Sequence, residues 1–311
     1  VSLDLGKHSN LFATPKVMTE QDIGEVITRF ANAAKLGEQA GFSGVQIHAA
    51  HGYLISQFLS PLTNRRTDRW GGSLENRARI LIETVKAVRA AVSPGFSVAV
   101  KLNSADFQRG GFDAADAKTV IIALNELPVD LVELSGGSYE APAMQGDARD
   151  GCTLAREAYF LEFARDIAAV AKMPVMVTGG IRRIGVVQQV LDSGVAIAGI
   201  GTALAIKPDL PLAWRHGEDP RPEIAPINWK SKPLASLAMM AVVKFQLRRL
   251  SQGRKPNPGI SPLVALLLGQ LRTASLTRKY RRWMASSSAA VALADSPASS
   301  PTNTHVVGMS R

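Results

Sequence analysis

The stretch "PVMVTGGIRRIGVVQQVLDSGVAIAGIGT" (174–202) decides the fold class. Two short β-branched runs, 174–180 and 196–201, each close on glycine. Between them, about residues 184–193, apolar side chains recur at helical spacing. Parallel strands cannot be joined by a tight turn and need a crossover of roughly a dozen residues, so the stretch reads as one strand–helix–strand unit. Both runs are apolar almost throughout, as strands covered on two faces are.

The same grammar repeats toward the N-terminus. "VDLVEL" (129–134), "FSVAVKL" (96–102) and "SGVQIH" (43–48) read as three more strands. Thr19 and Asp22 make a capping-box pattern before a stripe of Ile23, Val26, Ile27, Phe30, Ala33 and Ala34, and Gly41 ends that helix. A loop rich in Pro, Asn, Arg and Gly follows His48. Ser73 then caps a helix carrying Leu74, Ala78, Leu81, Val85 and Val88 on one side, with further helices over 114–126 and from Phe160 to Ala171. Five βα units in succession place the chain in the α/β class, as a barrel or a doubly wound sheet. A doubly wound sheet gathers its ligand groups at one switch point. Here the polar residues follow every strand: His48 to Tyr53, Lys101 to Asn103, Ser135 to Ser138, Thr178 to Gly180, then Gly201 and Thr202. That spread fits the mouth of a (β/α)8 TIM barrel, of which five strands are counted.

Charge divides the chain. Residues 1–223 hold 23 Lys/Arg against 25 Asp/Glu, whereas residues 224–294 hold 12 Lys/Arg and no carboxylate. The net charge of +10 therefore belongs to a C-terminal extension and says little about the main domain's substrate. A solvated basic face is the simpler reading, and contact with an acidic partner or a membrane surface is the alternative. No nucleic-acid-binding module is recognisable. Past a Pro-rich connector from about residue 207, two helices are predicted, 234–250 and about 261–284, able to cap the barrel, mediate homo-oligomerisation or lie on a membrane. "LASLAMMAVV" (234–243) is too short an apolar run to span a bilayer. The expected division is a partial barrel over 1–222, a basic helical extension over 223–284 and a disordered tail rich in Ser, Ala, Pro and Thr over 285–311. The single cysteine, Cys152, excludes a disulfide framework and a four-thiolate metal or iron–sulfur site, which fits a reducing, cytoplasmic setting.

"IHAAHGYLISQF" (47–58) brings His48, His51 and Tyr53 to one strand end. Two imidazoles can donate to one carbonyl or nitro oxygen, and a nearby phenol can protonate the neighbouring carbon. Zinc binding by His-x-x-His would need a third ligand that the nearby carboxylates do not obviously supply. Lys101, in an otherwise apolar strand, is either a Schiff-base nucleophile, as in an aldolase-type barrel, or a cation facing an anionic cofactor. Gly179–Gly180 and "GIGT" (199–202) free backbone N–H groups to approach a phosphate.

The run "AGFSGVQIHAAHGYLISQFLSPLTNRRTDRWGGSLENRARILIETVKAVR" resembles the signature region of the Old Yellow Enzyme family, FMN-dependent NADH:flavin oxidoreductases and ene-reductases. "VKLNSADFQRGGF", "VELSGGSYE", "REAYFLEFA" and "VTGGIRR" follow in that family's order. The resemblance, over about residues 15–210, implies a (β/α)8 barrel with FMN at its mouth and NADH or NADPH as donor. The substrate it implies is a small activated alkene, enone or similar acceptor. It implies that His48 and His51 hold the acceptor's oxygen, that Tyr53 supplies the proton, that Lys101 faces the flavin ring, and that Gly179, Gly180, Gly201 and Thr202 hold its phosphate. Where the family commonly carries a phosphate-gripping arginine this chain has Thr202, whose hydroxyl lacks the bidentate charged grip. On this correspondence "VQIH" is strand four, and the chain carries strands four to eight. A remnant without flavin, binding through its basic tail, is the non-catalytic alternative.

Overall fold

The computed structural model describes residues 14–136 and 161–294. Ser138, Cys152, Phe160 and the tail from 295 onward lie outside the described residues. The chain divides into two compact units, Val1–Ile224 and Ala225–Arg311.

Among the described residues of the first unit five strands alternate with helices: α1 (Glu20–Gln39), β1 (Gly44–Ala49), α2 (Leu54–Leu59), α3 (Leu74–Ala91), β2 (Ser97–Asn103), α4 (Ala114–Leu124), β3 (Leu131–Ser135), α5 (Leu161–Ala168), β4 (Val175–Thr178), α6 (Ile184–Asp192) and β5 (Ile197–Gly199). Two short helices follow, α7 (Thr202–Ile206) and α8 (Leu210–Arg215). All pairings are parallel and the sheet order is β1-β2-β3-β4-β5. Among the described residues the order never reverses, so the sheet lacks the switch point of a doubly wound fold.

Local chemistry sets the helix starts. The Asp22 N–H donates to Thr19 Oγ1 at 3.1 Å while the Thr19 N–H donates to Asp22 Oδ2 at 2.7 Å, so the capping box is reciprocal. That backbone bond, with Lys16 beside it, lowers the Asp22 carboxyl to about 2. Ser73 accepts from the Asn76 N–H and caps α3 in the same way.

The strands alternate faces. Ile47, Val98, Val100, Leu102, Val132, Leu134, Val175 and Val177 are buried toward the helices, against residues such as Leu81, Val85, Ile121, Ile167 and Val190. The opposite face carries His48, Lys101, Glu133, Met176 and Ile197 in one register row. Its polar members, His48, Lys101 and Glu133, prepare the site.

Three segments differ from expectation. The long loop after His48 contains α2, because Ile55, Phe58 and Leu59 fall at helical spacing and are buried together. β4 and β5 are shorter than predicted: Gly179 and Gly180 leave the extended conformation at φ 152° and 67°, and Thr202 opens a helix. The Pro-rich connector holds α8, since Pro211 sits in the first helical turn, where its missing N–H has no partner to lose.

The second unit is a helical pair, α9 (Lys232–Ser251) and α10 (Pro262–Ala294), packed against each other. Ala238, Val242 and Ala265 are buried in it. Gln246 clasps the connecting loop, donating to Asn257 O at 2.8 Å and accepting the Asn257 N–H at 2.7 Å. α10 also corrects the expected tail: residues 285–294 are helical, not disordered. "ASSSAAVALA" is rich in alanine, the best helix former, and extending an existing helix avoids the cost of nucleating one.

Candidate active site

β1 ends at Ala49, and the chain then makes a turn through two successive left-handed residues, His51 at φ 64° and Gly52 at φ 74°. A side-chain-bearing residue gives up about 1–2 kcal/mol in that conformation. Its neighbours hold it there. The His51 N–H donates to Asn103 Oδ1 at 3.1 Å, and His51 Nε2 lies 2.7 Å from Ser135 Oγ. Asn103 is itself oriented, its Nδ2 donating to Asp106 Oδ1 at 3.2 Å, while Asp106 accepts the Phe112 N–H at 3.1 Å. The ends of β2 and β3 thus fix the turn that follows β1.

The turn converges three rings. His48 and His51 stand edge to face with centroids 5.1 Å apart, and the Tyr53 ring lies 4.9 Å from that of His48. Tyr53 also precedes α2 as its N-cap residue and is 46% exposed, so its phenol is open to proton exchange with water. The Ala50 N–H donates to His48 Nδ1 at 3.2 Å. A ring nitrogen that accepts carries no proton, so neutral His48 is the Nε2–H tautomer and presents that N–H as its donor.

Below the rings, Lys101 Nζ donates to Glu133 Oε1 at 2.5 Å, and Gln46 Nε2 donates to Glu133 Oε2 at 2.8 Å. Burial pushes the Glu133 carboxyl up, but the hydrogen bond and charge of Lys101, with Gln46 assisting, hold it below its ordinary value. Burial lowers His51 to about 4, aided by the positive charge of Lys101 and by His48; Glu133 opposes the shift. His48 is lowered for the same leading reasons, burial and then Lys101. Both imidazoles are therefore neutral donors near pH 7.

Among the residues singled out from sequence, the structure brings together His48, His51, Tyr53 and Lys101. Gly179, Gly180, Gly201 and Thr202 follow β4 and β5 at the same end of the sheet but farther along it. Lys101 is engaged in an ion pair, whereas a Schiff-base nucleophile must present an unprotonated amine. Among the described residues no group of three or more His, Cys, Asp or Glu side chains is placed to hold a metal ion. Gln46 and Glu133 were missed, and Asn103 and Ser135 were expected only as polar strand-end residues, without a role. Their signal was the two-residue strand period, since Gln46 shares a face with His48, Asn103 with Lys101, and Ser135 with Glu133.

A profile of the NADH:flavin oxidoreductase / NADH oxidase family matches residues 3–219. The NADH-dependent flavin oxidoreductase nadA of Aspergillus parasiticus is 41% identical over 204 residues, 65% of this chain and 45% of that protein. The five curated relatives compared are matched over 27–50% or, in one case, 51% of their length, so the chain spans about half of them or less. A 2-naphthoyl-CoA reductase complex superposes with a TM-score of 0.62 at 30% identity, over 70% of this chain and 32% of that one. Morphinone reductase with tetrahydroNAD gives 0.54 at 27% identity, over 68% and 54%.

Proposed function

We infer the function of this chain from its family: it belongs to the NADH:flavin oxidoreductase / NADH oxidase family. The cofactor of that family is FMN, and its donors are NADH or NADPH. The reaction proposed for this chain is reduction of a small activated alkene, enone or related acceptor. Its five strands are proposed to be strands four to eight of a (β/α)8 barrel, with the first unit as the FMN-binding part.

The residues present fit such a cofactor. Gly179 and Gly180, at φ 152° and 67°, take conformations that only glycine adopts readily, and without side chains they would let an anion approach the backbone closely. A Cβ at Gly201 would meet nothing within 4 Å, so the chain there is open to a ligand. Gly179, Gly180, Gly201 and Thr202 would hold the phosphate. Lys101 would present its charge to the ring, where a cation suits the negative charge that reduction brings. When bound, FMN supplies the hydride that NADH or NADPH has delivered.

The chain's own groups do the rest. The Nε2–H of His48 and a ring N–H of His51 donate to the acceptor's carbonyl or nitro oxygen and draw charge onto it. Because both rings are neutral, they donate without giving the oxygen a full proton. Tyr53 O–H delivers the proton to the adjacent carbon and is reprotonated from solvent. Asn103 and Ser135 keep His51 in its turn, and Glu133 with Gln46 keeps Lys101 at its register position.

The observation that carries this reading is the convergence of the His48, His51 and Tyr53 rings at one strand end. Its test is the visible spectrum of the chain with FMN, followed by anaerobic NADPH. The expected result is a bound flavin band that bleaches and returns when an enone is added. A chain that never retains FMN overturns the proposal.

A further inference from the structure

The family match ends at residue 219, before α9. Leu263, Leu267 and Leu271, four residues apart, form one stripe along α10 and are 55%, 56% and 70% exposed. Farther along the same helix, Arg278, Lys279, Arg281 and Arg282 are all exposed. They surround Tyr280 and Trp283, each 59% exposed with ring centroids 5.8 Å apart. Since residues 224–294 contain no carboxylate, nothing within that segment can neutralise its cations.

A leucine row left in water is unfavourable and calls for a partner. A second copy would bring like charges face to face, which opposes self-association. A protein-binding patch has an apolar centre and a polar rim. Here the apolar and basic stretches instead succeed one another along the helix axis. That order suits a membrane surface: leucines enter the acyl region, and Arg278, Arg281 and Arg282, which a rotation of about 100° per residue returns to the leucine face, meet the phosphates. Among the described residues no helix is long and apolar enough to cross a membrane.

We propose that the second unit docks on an anionic phospholipid surface through α10, with Leu263, Leu267 and Leu271 inserted and Arg278, Lys279, Arg281 and Arg282 on the headgroups. This does not rest on the flavin reading. The test is co-sedimentation of the full chain with phosphatidylcholine vesicles, with and without phosphatidylserine. Uptake is expected on the anionic vesicles alone, with release at high salt. The combined Arg278→Glu, Arg281→Glu and Arg282→Glu variant should weaken uptake by roughly tenfold or more. These side chains are exposed, and circular dichroism checks that the helix persists; Leu267→Glu offers a second, independent loss of uptake. Equal uptake on neutral vesicles, no uptake on either, or uptake indifferent to charge reversal overturns the proposal. Retention on poly-glutamate without vesicle uptake overturns it in favour of an acidic protein. A dimer dissolved by Leu267→Glu, again without vesicle uptake, assigns the face to a second copy.

Discussion

At φ 64°, His51 holds a backbone conformation that its hydrogen bonds to Asn103 and Ser135 must enforce, and the same enclosure depresses its protonation. The sign follows from the folded value of about 4 against an ordinary 6.5: the unfolded chain takes up the proton first. The contribution of His51 to stability is complete above pH 6.5 and is lost as pH falls through about 4. Imidazole NMR should place its midpoint near 4, and urea midpoints should drop between neutral and acid pH; a midpoint near 6.5 would contradict the burial argument. Tyr53 is the other residue whose chemistry is separable. Tyr53→Phe should leave flavin bleaching by NADPH intact while slowing reoxidation by an enone by roughly 10²–10⁴-fold, the worth of a positioned acid, as read by stopped-flow absorbance.

Elements matter where strands share side chains. Glu133 on β3 takes the charge of Lys101 on β2 and the amide of Gln46 on β1, so one carboxylate links three strands. Removing it strands a largely buried ammonium, the Lys101 side chain being 17% exposed. Glu133→Ala should cost about 3 kcal/mol of unfolding free energy, measured by urea titration; Lys101→Met with Glu133→Leu should recover much of it. At the start of α7, Thr202 offers an uncharged hydroxyl to the proposed phosphate site. Thr202→Arg should tighten FMN binding about tenfold by adding a charge-assisted hydrogen bond, measured by fluorescence titration.

At the scale of the molecule, the two units differ in what holds them. The first has an apolar core under a parallel sheet; the second is a helical pair whose cations repel each other without internal relief. Salt should therefore act on them unequally. Melting followed by circular dichroism should show two transitions, the helical one rising between low and moderate ionic strength as repulsion is screened, and the sheet's moving less. A single transition indifferent to salt would count against this division.

Much of this architecture is a local property of the chain. The Thr19–Asp22 box, the Ser73 cap and the apolar strand runs are read from residues within a few positions of one another, because capping and side-chain periodicity are short-range physics. Lys101 stood out by contrast with its own strand, and His48, His51 and Tyr53 by their spacing. Asn103 and Ser135 showed as polar strand ends, but the pairings did not: Glu133 lies 32 residues from Lys101, Asn103 52 from His51, Ser135 84 from His51 and Glu133 87 from Gln46. Only parallel register sets those distances, since it decides which inward residues of separate strands share a row. The left-handed turn at His51, the tautomer of His48 and the neutrality of both rings follow from that packing. Sequence by itself determined most of the elements, the divided charge and the main reactive side chains. Tertiary structure decided which of them meet, because burial and hydrogen bonding across strands, not spacing along the chain, choose the geometry and protonation of a site.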